Sequence, residues 1–64
     1  MKTYEEKIQE AAEFWAKHNV IGASAEAIIA AEEALCEMRD QIAEEFGIGR
    51  QMVYYAIENA YQAM

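Results

Sequence analysis

Residues 24–46 read SAEAIIAAEEALCEMRDQIAEEF, and the period of that stretch decides the fold. At about 100° per residue, Ile28, Ala31, Leu35, Met38, Ile42 and Phe46 fall on one side of a helix. Glu26, Glu33, Glu37, Asp40 and Glu44 fall on the opposite side. Ser24 has the short side-chain oxygen of a good N-cap. Gly47 stands where a left-handed C-terminal cap is expected, with Ile48 following as its hydrophobic partner. The stretch therefore predicts one uninterrupted helix. A weaker apolar strip, Ile29, Cys36 and Ala43 at heptad spacing, lies beside the acidic one and points to contact with a further helix or subunit.

Outward from this helix the chain is punctuated at two places, because there is no proline and the three glycines are Gly22, Gly47 and Gly49. Two breaks imply three helices, over about 3–18, 24–46 and 50–63. The first opens at Thr3 as N-cap, with Glu5 and Glu6 near the positive end of its dipole. Its apolar stripe is Tyr4, Ile8, Ala11, Ala12 and Trp15. Asn19 to Ala23 form a turn in which Val20 and Ile21 are expected to tuck under the bundle. The third helix turns Val53, Ala56, Ile57, Ala60 and Met64 inward, with Tyr54 and Tyr61 on the flank. Gln51, Tyr55, Glu58, Asn59 and Gln62 face outward. The expected fold class is all-α, a small three-helix bundle forming one domain over residues 1–64.

Sixty-four residues lie near the lower size limit for a core that folds without a staple, so association with a second copy, a homodimer, is expected. Cys36 is the single cysteine and cannot form an internal disulfide, and no Cys/His cluster has zinc-ligand spacing. No metal and no cofactor are implied. Met1 leads into a charged amphipathic stretch without the apolar core of a signal peptide, and no apolar run approaches membrane-spanning length. The expected location is cytoplasmic, with no membrane partner.

Catalytic chemistry has little to build on. His18 is the one histidine, and a place near the end of the first helix suits a dipole-facing cap. Cys36 lies among Glu33, Glu37 and Asp40, which disfavour a thiolate nucleophile. Glu32-Glu33 and Glu44-Glu45 lack the Glu-x-x-His spacing of helical di-metal sites. The chain reads as a non-enzyme with no small-molecule substrate. Its formal net charge of −7 repels nucleic-acid phosphates at long range and favours basic protein surfaces. The acid is uneven: residues 1–38 hold eight Glu against three Lys, and residues 39–64 hold four acids against Arg39 and Arg50.

Residues 39–58, RDQIAEEFGIGRQMVYYAIE, carry a small residue, Ala43, four positions before a glycine, Gly47, with apolar Ile42, Phe46, Ile48, Val53 and Ile57 around them. A small residue allows two helices to cross closely, and the glycine can take positive φ in the turn between them. This stretch resembles the helix-turn-helix unit of Cro-type phage repressors, with Phe46-Gly47-Ile48 matching the family's turn. The resemblance implies a phage-type DNA-binding transcriptional regulator whose recognition helix starts at Arg50. Arg50 and Gln51 would then read guanine and adenine edges, Tyr54 and Tyr55 would contact bases or phosphates, and Asn59 would reach the backbone. In that family the first helix of the unit is short and follows a turn, whereas the stripes here continue back to Ser24. Glu44, Glu45 and Glu58 surround the motif, around which family members usually carry Lys or Arg, and Gly49 replaces the usual polar N-cap.

In size, charge and helicity the chain also resembles small acidic phage proteins that inhibit host defence, of the anti-CRISPR or anti-restriction type, some of which present carboxylates in place of DNA phosphates. That likeness implies binding of a basic host protein through Glu33, Glu37, Asp40 and Glu44. A helical oligomerisation module is a third reading. Continuity of the second helix through Arg39 separates the repressor reading from the inhibitor reading.

Overall fold

The computed structural model describes residues 1–18 and 22–64, and over these the chain forms α1 (Tyr4–His18), α2 (Ala25–Phe46) and α3 (Arg50–Gln62). All three agree with the expected spans to within one residue at each end. Val20 and Ile21, expected under the bundle, lie outside the described residues. No helix among the described residues is long and apolar enough to cross a membrane.

The boundaries follow from local chemistry. At the start of α1 the Thr3 hydroxyl accepts from the Glu6 backbone N–H at 3.2 Å, and the Glu6 carboxylate accepts from the Thr3 N–H at 2.9 Å. This reciprocal pair satisfies two donors that the helix cannot pair internally. At the other end the Phe14 carbonyl lies 2.9 Å from His18 Nδ1, and the Phe14 and His18 rings are 4.2 Å apart. A carbonyl can only accept, so Nδ1 carries the proton. Ser24 caps α2, its hydroxyl accepting from the Ala27 N–H at 3.1 Å.

The helix then runs without a break through Arg39 to Phe46. At about 1.5 Å per residue its 22 residues span about 33 Å, close to the 35 Å long axis of the molecule. Gly47 ends it at φ 65° and ψ 34°, and the Ala43 carbonyl accepts from both the Gly47 and the Ile48 N–H, the latter at 3.0 Å. The bond from the Ile48 N–H, reaching five residues back, closes a Schellman-type cap. Gly49 then opens α3 with extended backbone and no side-chain cap.

The main core joins Ile8, Ala11 and Ala12 of α1, Ile42 and Ala43 of α2, and Val53 and Ile57 of α3. Tyr4 packs edge-to-face on Phe46, with ring centroids 5.6 Å apart, and Lys7 lies 3.8 Å from Glu45. Both contacts bind the start of α1 to the end of α2, so these helices are antiparallel. Among the expected core residues, Met64 is exposed, and Trp15 and Ile28 are half-buried outside the main cluster. Ile29 and Cys36 of the second strip are also exposed, while its third member, Ala43, is buried. α3, 13 residues against 22 in α2, covers only part of α2, and beside Cys36 the two helices leave a gap.

Two outcomes follow. A β-carbon at Gly47 would meet nothing within 4 Å, so Gly47→Ala is strained by its positive φ alone and is expected to destabilise by about 1 kcal/mol in urea unfolding. Gly49→Ser, in open space at a negative φ, is expected to be neutral or stabilising by a few tenths of a kcal/mol. The second outcome concerns acid. The Thr3 backbone N–H, then its hydroxyl and more weakly the Lys2 charge, hold the Glu6 pKa below its ordinary value. A carboxylate with a depressed folded pKa contributes stability above its unfolded pKa and loses it as pH falls through the folded one. Thermal melts of Glu6→Gln and the parent are therefore expected to converge as the pH falls through that range and to differ most near neutrality.

Candidate functional site

Two surfaces carry the chemistry that the sequence singled out, and they meet at Asp40. The first is the start of α3. Its helical period places Arg50, Gln51, Tyr54 and Tyr55 around the exposed side of the first turns, and all four are exposed. Gln51 Nε2 donates to the Tyr55 hydroxyl at 3.2 Å, and the Tyr54 and Tyr55 rings are 6.0 Å apart. Arg39, from α2, joins Gly49, Arg50, Gln51 and Tyr54 in lining one shallow, open cleft. Asn59 is exposed one turn beyond Tyr55 and on its face, about 180° around the helix from Arg50. Glu58, also exposed, stands on the face between them.

The electrostatics of this cluster are set by one carboxylate. Asp40 Oδ1 is 3.0 Å from Arg39 Nε and from its terminal nitrogen, and 3.9 Å from the Arg50 guanidinium. Lys2 pairs with Glu10, and Lys7 with Glu45. Four of the five Lys and Arg side chains thus sit within ion-pair distance of a carboxylate. Each exposed pair is weak, yet together they cancel the cationic field that phosphate binding draws on.

The second surface is the back of α2. Glu26, Glu33, Glu37, Asp40 and Glu44 fall within an arc of about 60°, and Glu33 to Glu44 span about 16 Å of helix axis. Among the described residues, Glu26, Glu33, Glu37 and Glu44 meet no cation within ion-pair distance. Like charges at i,i+4 oppose the helix by a few tenths of a kcal/mol per pair. The strip is a continuous anionic ridge on a rigid, unbroken helix.

Sequence reasoning missed a third feature, a groove between α2 and α3 on the flank away from the ridge's centre. It encloses about 450 Å³ and is lined by Trp15, Leu35, Cys36, Tyr54, Ile57 and Tyr61, with Glu32, Glu58 and Gln62 beside them. Cys36, from the weaker apolar strip, was its one signal in the sequence. Cys36 is an exposed free thiol. Among the described residues, no three His, Cys, Asp or Glu side chains are grouped to hold a metal ion. No protein-family model, curated protein or solved structure matches this chain.

Proposed function

We propose that this protein is a non-enzymatic helical binding module that docks its acidic α2 ridge on a basic protein surface, in the manner of an inhibitor or adaptor. The observation that carries this reading is the unbroken helix from Ala25 to Phe46, which presents Glu33, Glu37, Asp40 and Glu44 as one ridge. A helix that broke before Arg39 would divide those carboxylates between two axes. The net charge of −7 steers such a ridge toward a cationic partner and raises the encounter rate. The target class is a protein with a lysine- and arginine-rich face, including faces that bind nucleic-acid phosphate. In a cell the small acidic chain would compete for that face.

A tagged chain is expected to capture its partner in a salt-sensitive way, with Glu37→Lys/Glu44→Lys reducing retention at least about tenfold. Undiminished capture by the charge-reversed chain overturns the reading.

One observation favours the DNA-binding regulator as a second reading: Arg39, Arg50, Gln51 and Tyr54 share a cleft at the start of α3, beside a turn with positive φ at Gly47. On that reading Asp40 is an internal brake on Arg39 and Arg50. Gel shifts at low salt on genomic fragments are then expected to show retention that strengthens in Asp40→Asn and disappears in Arg50→Ala. No retention by either the parent or Asp40→Asn removes this reading.

A further inference from the structure

We propose that the groove between α2 and α3 is a docking site for a basic amphipathic helix, whose apolar side chains enter the groove while its cations meet Glu32 and Glu58. The groove lies between α2 and α3, with Leu35 half-buried and Cys36 exposed on one wall and Ile57 and Tyr61 of α3 facing them. Trp15 of α1 is half-buried, and Tyr54 is 46% exposed on the opposite wall. Such apolar surface, concave and uncovered, is what a row of Leu- or Phe-like anchors at i, i+3 and i+4 fills. The volume of about 450 Å³ accommodates several such side chains, and the groove is open along one side.

Charge fixes the kind of occupant. Glu32 on α2 and Glu58 on α3 flank the apolar floor from both walls, and no Lys, Arg or His is among the lining residues. A neutral segment laid over the groove would desolvate those two carboxylates without pairing them, which is costly. A second copy of this chain would bring another charge of −7 against them. A segment with Lys or Arg flanking its apolar anchors meets both walls. This inference shares with the proposed function only the basic character of the partner, and it names a different surface.

Trp15 is the one tryptophan of the chain and lines the groove, so its fluorescence reports occupancy directly. The probe is a tryptophan-free amphipathic peptide of Leu and Lys, about 16 residues long so that a helix can form. Its comparators are a Lys/Ser peptide of equal charge and a Leu/Glu peptide of equal apolarity. The Leu/Lys peptide is expected to bind saturably and to shift Trp15 emission. Glu32→Lys/Glu58→Lys is expected to weaken this binding at least about tenfold, and a bulky maleimide adduct on Cys36 to block it.

Equal binding by the Lys/Ser or the Leu/Glu peptide overturns the proposal. So does parent-like binding by Glu32→Lys/Glu58→Lys with its helical circular dichroism intact. A dimer in sedimentation that the Cys36 adduct dissociates assigns the groove to a second copy instead, and a Trp15 shift caused by duplex DNA assigns it to nucleic acid. Either result also overturns the proposal. Peptide binding lost in Glu37→Lys/Glu44→Lys alone refutes the groove while leaving the ridge reading intact. Loss confined to Glu32→Lys/Glu58→Lys, with partner capture unaffected by Glu37→Lys/Glu44→Lys, does the reverse.

Discussion

The chain reverses at Gly47, and the packing of the molecule depends on how that reversal is made. The Ala43 carbonyl takes the N–H of both Gly47 and Ile48, so α2 ends with its last orphan groups partly satisfied. The Ala43 side chain is itself buried in the core shared with α3. One residue thus terminates the helix through its backbone and admits the next helix through its small side chain. Val53 and Ile57 then reach Ala11 and Ala12, which are fully buried. Alanine removes little apolar area from water, so a core built on it gains stability through close approach and dense packing. Without the reversal, the alanine face of α1 would close against α2 alone.

Asp40 has a comparable role in the electrostatics. By helical period it belongs to the acidic ridge, yet its carboxylate reaches both Arg39 and Arg50. The charge that continues the ridge is therefore the charge that neutralises the start of α3. A phosphate approaching that end exchanges one anion for another and gains only the difference, whereas a basic surface approaching Glu33, Glu37 and Glu44 meets carboxylates with no cation beside them among the described residues. The turn at Gly47 suits either purpose. On the proposed reading, it is the distribution of charge around it that selects a protein partner.

The helices were legible because their ends are chemical. Thr3, Ser24 and Gly47 act as caps through groups visible in the sequence, and each limit falls within one residue of expectation. Inward faces were equally legible where neighbouring helices extend far enough, as at Ile8, Ala12, Ile42, Val53 and Ile57. Trp15 and Leu35 show where that legibility stops. Periodicity gives the direction of a side chain but not how closely the helix opposite it packs, and α3 leaves a groove beside both. The Asp40–Arg50 approach was hidden for a related reason, since it joins two helices across a turn. Asn59 differs again: its place opposite Arg50 follows from the 100° period, but the repressor resemblance grouped the two.

The ridge and the groove lie on successive residues of the same helix, Glu32 beside Glu33 and Cys36 beside Glu37. Their physics acts over different ranges. Carboxylates attract a cationic partner across roughly a Debye length, about 8 Å at physiological salt, and mainly speed the encounter. Apolar contact acts only on touching and mainly slows release. On the two proposals together, a basic helix drawn along the ridge would arrive next to the groove that retains its apolar side. Like charges along one face of α2 cost some of its helicity, and the continuous core stripe on the opposite face keeps the helix intact despite them.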